Sequence, residues 1–138
     1  LAGLAHARAC TDRALRVLRE GRGERRVARL DEIQVEALIL ELRDLVAARG
    51  DRPTGSLARL IEYDRKHQSN LVETLQAWLD AFGDVSAASR SLFLHPNTFR
   101  YRLRRLAEVG QINLGDPEQR FVAMLQLRVL GLGIDLER

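Results

Sequence analysis

Residues 84–106 constrain the fold more than any other part of the chain. A short segment of small residues, Val85-Ser86-Ala87-Ala88-Ser89, leads to Leu92; Phe93-Leu94-His95 then breaks the periodicity, and a second helical period starts at Pro96. Small side chains such as Ala88 and Ser89 let a second helix cross closely, with Val85 and Leu92 free to face a core. Asp84 or Ser86 supplies an oxygen for the unpaired N–H groups at the start of the first helix. Pro96 suits a first helical turn, where its missing N–H costs nothing. On a wheel of 100° per residue, Leu103 and Leu106 fall within about 40° of Phe99. Asn97, Tyr101 and Arg104 fall within about 40° of the opposite direction, and Arg100 and Arg105 flank them. The second helix therefore has an apolar back and a polar, aromatic and cationic front, with Leu94 anchoring the turn. That is the form of a helix-turn-helix.

Charge points the same way. The chain has a formal excess of +3, and residues 84–110 hold five arginines against two acids, so the remainder is balanced. An excess confined to one short segment implies an anionic partner, nucleic acid before membrane. In a DNA major groove an arginine bonds two acceptors on guanine, and an asparagine bonds adenine in the same bidentate way. Asn97, Arg100, Tyr101 and Arg104 are the expected base-contacting residues. His95, Thr98, Arg102 and Arg105 lie at the helix start or its edges and are the expected phosphate contacts. Arg102, nearer the buried side, is open to a structural ion pair instead. Tyr101 is open to stacking, a thymine methyl or a phosphate. The competing reading is a helical protein-interaction or dimerisation module that never touches DNA.

The rest of the chain reads as helices with clear punctuation. Leu4, Ala7, Ala14, Leu15 and Leu18 recur at helical spacing up to the turn Gly21-Arg22-Gly23, and residues 25–30 carry the one stretch with strand character. Asp31 is expected to cap a long helix with Ile33, Val35, Leu38, Ile39, Leu42, Leu45 and Val46 as its apolar face. A linker over residues 51–56 follows, dividing the chain into residues 1–50 and 57–138. Asn70 with Glu73 resembles a capping box opening a helix that turns Leu71, Leu75, Trp78, Leu79 and Phe82 one way. Asp116 and Pro117 start a last helix carrying Phe121, Leu125, Leu127 and Leu130. The chain opens on Leu1 already in helical periodicity, as a piece of a longer polypeptide does.

Other functions find little support. His6, His67 and His95 are scattered, and the glycines at 21 and 23 lack the pattern of a nucleotide-binding loop. The carboxylates Glu62 and Asp64 stand beside Arg65 and Lys66, which favours surface pairing or capping over acid-base chemistry. No enzyme activity, metal or cofactor is expected. A single cysteine and the lack of an apolar run of roughly 18 residues fit a cytoplasmic protein without a membrane span.

Gly83-Asp84-Val85-Ser86-Ala87-Ala88, then Leu92-Phe93-Leu94-His95, then Asn97-Thr98-Phe99-Arg100-Tyr101-Arg102-Leu103-Arg104-Arg105-Leu106 resemble the C-terminal helix-turn-helix of PucR/CdaR-type bacterial regulators. The flanking runs Glu62-Tyr63-Asp64-Arg65-Lys66-His67, Leu71-Val72-Glu73-Thr74-Leu75 and Asp116-Pro117-Glu118-Gln119-Arg120-Phe121 extend the likeness over residues 57–132. The resemblance implies a mainly α fold: a helical bundle containing a Fis-like helix-turn-helix, preceded by a helix-strand-helix remnant of a GGDEF-like domain over residues 1–50. It also implies a homodimer on an operator in double-stranded DNA, with a small-molecule effector sensed by a portion ahead of this chain. Two positions depart from the family: Pro96 replaces a common arginine, which removes one DNA donor, and Phe99 replaces a leucine.

Overall fold

A computed structural model of the chain describes residues 4, 12, 15, 16 and 30–130, which fall into two compact units, Leu1–Gly50 and Asp51–Arg138. In the first unit Leu4, Asp12, Leu15 and Arg16 are helical, and α1 spans Leu30–Arg49. Arg16 forks onto Asp44, with Nη2 donating to Oδ1 at 2.8 Å. The remainder of the expected first helix, the glycine turn and residues 25–29 of the expected strand lie outside the described residues. Leu30 is already helical, so Asp31 stands within α1 and not at the position ahead of it expected for a cap.

The expected apolar face of α1 needs correction. Ile33, Ala37 and Leu40 are its buried stripe, while Val35, Leu38, Leu42 and Leu45 are exposed. The spacing 33, 37, 40 and the spacing 35, 38, 42, 45 each trace a helical stripe, nearly opposite one another. A helix apolar on two sides gives no single period from which to choose the buried one.

Among the described residues the second unit has five helices: α2 (Gly55–His67), α3 (Leu71–Asp80), α4 (Val85–Ser91), α5 (Pro96–Gly110) and α6 (Pro117–Val129). The linker is shorter than expected, because Gly55 and Ser56 already form the first turn of α2 behind Thr54. Around α5 pack α2, α3 and α4; α6 lies on α2 and α3. Leu57, Leu60, Leu75, Ala88, Phe99 and Leu106 are the most enclosed apolar side chains of one shared core. Two polar groups buried with them are satisfied locally. Thr74 Oγ1 donates to the Asn70 carbonyl at 2.7 Å, and Ser89 Oγ to the Ser86 carbonyl at 3.1 Å.

Carboxylates open three of these helices. Asp84 accepts from the Ser86 and Ala87 amides, and Asp116 from the Glu118 amide, as their positions imply. The side-chain amide of Gln119 and the Glu118 N–H together hold the Asp116 carboxyl below its ordinary range. At α3 the expected capping box is absent, since Asn70 makes no side-chain cap. Asp64 of α2 does that work from outside: Oδ1 accepts from the Leu71 amide at 2.9 Å and from Ser69 Oγ at 2.5 Å, and Oδ2 from the Val72 amide at 2.9 Å. Its neighbour Glu62 instead pairs with Arg65 and Lys66 on the surface. Asp64→Ala is expected to cost about 2 kcal/mol, the value of a helix cap with charge-assisted bonds. Urea unfolding checks this, and a loss below about 0.5 kcal/mol would mean that solvent replaces the cap without penalty.

The helix ends are less orthodox. Gln68, Phe82, Phe93 and Gln111 all follow a helix with φ near +50°, the left-handed conformation usually given to glycine. Behind Phe82 the Gly83 amide donates to the Trp78 carbonyl, and behind Phe93 the Leu94 amide donates to the Ser89 carbonyl, each at 2.9 Å. These are Schellman closures, and they turn both phenylalanine side chains outward, 97% exposed. Phe82 therefore leaves the apolar face of α3 that its spacing assigns it to. On α6 the buried residues are Ala123 and Leu127, while Phe121 and Leu125 of the expected apolar set face solvent.

Candidate nucleic-acid interface

The front of α5 is built by seating its back. Phe99 and Leu106 have no exposed surface, Leu103 is half-buried, and Gly110 closes the stripe where the helix meets α2. A Cβ at Gly110 would lie 3.3 Å from Leu60 Cγ, so the approach is close enough to favour glycine there. Arg59 of α2 fixes the same end: Nε and Nη2 both donate to the Gly110 carbonyl, at 3.0 and 2.6 Å. A cation on the last carbonyl of a helix also complements the helix dipole. Arg59 escapes sequence reasoning because its partner is 51 residues away and no local pattern links the two.

With the back seated, all four expected base-contacting residues, Asn97, Arg100, Tyr101 and Arg104, are exposed on α5. Arg100 Nη1 donates to Asn97 Oδ1 at 3.0 Å, so two of them already hold one another. Tyr101 is 64% exposed, although apolar in most of its area. Amide, guanidinium and phenol groups exposed on one helix are groups able to hydrogen-bond to base edges.

The expected phosphate contacts divide into two groups. Thr98 is exposed in the first turn and Arg102 is half-buried. His95 is the N-cap of α5, its Nδ1 accepting from the Asn97 amide at 3.1 Å. Arg105 is turned toward α2. Its Nε and Nη2 donate to the Tyr63 hydroxyl at 3.3 and 3.2 Å, its guanidinium lies 5.3 Å from the Tyr63 ring centre, and Nη1 pairs with Glu108. Tyr63, and next Glu108, hold the Arg105 guanidinium more firmly protonated. Tyr63 itself stacks on His67 with ring centres 4.1 Å apart. Sequence reasoning placed Tyr63 and His67 in a family-like run and missed their role in positioning Arg105.

Residues 71–129 match the model of the PucR C-terminal helix-turn-helix domain. This stretch is a PucR-type helix-turn-helix. It takes in α3 through α6, and so the whole exposed row of α5 together with its supports except α2. Among similar proteins, the DNA-binding transcriptional activator AdeR of Bacillus subtilis is 42% identical over 74 residues, 54% of this chain and 18% of AdeR. The carbohydrate diacid regulator of Escherichia coli is 33% identical over 87 residues, 62% of this chain and 23% of that protein. The purine catabolism regulatory protein of B. subtilis is 34% identical over 74 residues, 54% of this chain and 14% of its own length. The chain thus spans under a quarter of these relatives. No solved structure matches. The PucR-type domain is a regulator module and not an enzyme. Among the described residues no helix is long and apolar enough to cross a membrane.

Proposed function

We propose that the chain is the DNA-binding end of a cytoplasmic transcriptional regulator of the PucR/CdaR type, reading the major groove with α5. The observation that carries this is the row Asn97, Arg100, Tyr101 and Arg104, exposed on a helix whose opposite side is locked into the core. Guanidinium and amide groups so placed match guanine and adenine edges, while Arg102, Arg105, Thr98 and His95 flank the row for phosphates. The relatives named as DNA-binding or regulatory proteins support the same reading. One 15-residue helix reaches few bases, so the chain works as a homodimer on a near-palindromic operator. Its two α5 helices then enter successive major grooves about 34 Å apart. The effector belongs to a portion ahead of the chain, with residues 1–50 as the tail of a GGDEF-like domain.

Affinity for random-sequence duplex DNA is expected to fall steeply with salt. Arg102 and Arg105 on two chains make four phosphate contacts, giving a log–log slope of about −3.6 and roughly a 150-fold loss between 50 and 200 mM salt. Fluorescence anisotropy across that range tests it. Binding that stays flat returns the exposed row to a protein-contact surface.

A further inference from the structure

α6 buries Ala123 and Leu127 and leaves an apolar strip on its far side, with Phe121 59% exposed, Val122 44%, Leu125 40% and Met124 36%. A strip of this kind on a short surface helix marks a contact. Its charges say with what. Glu118, Phe121, Leu125 and Arg128 recur at spacings of three, four and three residues, within about 80° of one another on the helix. The order is acid, apolar, apolar, base, and it is its own complement when reversed.

The geometry points to an antiparallel two-fold pairing of α6 with α6 of a second copy. Residue 118 then faces 128 of the partner, and 121 faces 125. Glu118 meets an arginine, Phe121 meets a leucine, and each contact occurs twice, as a closed isologous interface requires. Arg128 can turn to this role, since its ion pair to Asp80 is 4.0 Å long and exposed. A parallel arrangement would set like charges together at both ends. No Cα of α6 lies within 8 Å of one in α5, so the pairing surface is separate from the exposed row of α5. The inference rests on the proposal that the chain works in pairs, and it assigns the surface that makes the pair. Two helices of about 20 Å each bury area at the low end of specific interfaces, so the pair is expected to dissociate in the micromolar range.

Sedimentation velocity on the full chain across the micromolar range tests this, with anisotropy on a DNA half-site and far-UV circular dichroism in parallel. Glu118→Arg alone sets two arginines face to face twice and is expected to weaken the dimer about tenfold. Arg128→Glu alone does the same by setting two glutamates face to face twice. The double swap restores opposite charges and is expected to recover most of the affinity. Leu125→Arg, at a position already exposed, abolishes the pair without unfolding the chain, whereas Leu38→Arg in the exposed row of α1 leaves it intact. A monomeric wild-type chain, a double swap no better than the singles, or a dimer abolished only by Leu38→Arg overturns the proposal. Failure of the wild-type chain to bind the half-site overturns the DNA reading instead.

Discussion

Phe99→Ala is expected to remove about 3–5 kcal/mol of stability, the cost of emptying a fully enclosed aromatic site. Phe99 has no exposed surface and sits where α5 packs against α2, α3 and α4, so no neighbour can collapse into the space without shifting a whole helix. Against a total of about 5–15 kcal/mol, the loss removes from about a fifth to nearly all of the domain's stability. Phe99→Leu, which keeps a large apolar side chain in the site, is expected to cost below about 1.5 kcal/mol. The matched control is Phe93, equally large but 97% exposed and at φ +54°. Phe93→Ala is expected to change little, and Phe93→Gly to stabilise by about 1 kcal/mol through relief of the left-handed backbone. Urea titration of the four variants orders them. A Phe99→Ala penalty no larger than that of Phe93→Ala would mean that α5 is not seated as described.

Arg104→Ala and Arg100→Ala are each expected to lower discrimination between an operator and its single-base variants by about 1–3 kcal/mol, the value of a bidentate contact to guanine. The loss should fall on one base position per residue. Arg102→Ala and Arg105→Ala are expected to weaken binding alike on every sequence and to reduce the salt slope by about 0.9 for each phosphate no longer neutralised. Arg105→Ala also releases Tyr63 and Glu108, so part of its effect belongs to the orientation of α5. Selection from a randomised operator library, read for wild type and each variant, separates the two classes. Uniform weakening by Arg104→Ala would make it a phosphate contact.

The sequence carried the helix-turn-helix well because each of its signals is local. Asp84 caps within three residues, Pro96 marks the start of α5, and Phe99, Leu103 and Leu106 share one stripe. Where a partner comes from another helix, locality fails. Asn70 and Glu73 have the spacing of a cap, yet the capping carboxylate reaches in from Asp64 on α2. Arg59 and Tyr63 support α5 across 51 and 42 residues. Periodicity fails differently, where a helix is apolar on more than one side. Val35 and Leu38 on α1, and Phe121 and Leu125 on α6, fit a helical stripe as well as the residues actually buried. Phe82 shows a third case, since its left-handed backbone turns it off the face of the helix it follows.

The double support of α5 has a consequence for the DNA. The helix is held at Phe99 by packing and at Gly110 by two nitrogens of Arg59, and the residues proposed to touch bases lie between or beside these two points. A helix fixed this way loses little conformational entropy on binding, but it does not tilt to follow an imperfect groove. In the proposed dimer two such helices would stand at a set separation, and any mismatch with the duplex would be absorbed by bending and twisting the duplex. Base pairs between the half-sites, untouched by either chain, would then acquire a preference of their own, with easily kinked pyrimidine–purine steps favoured over stiff adenine tracts.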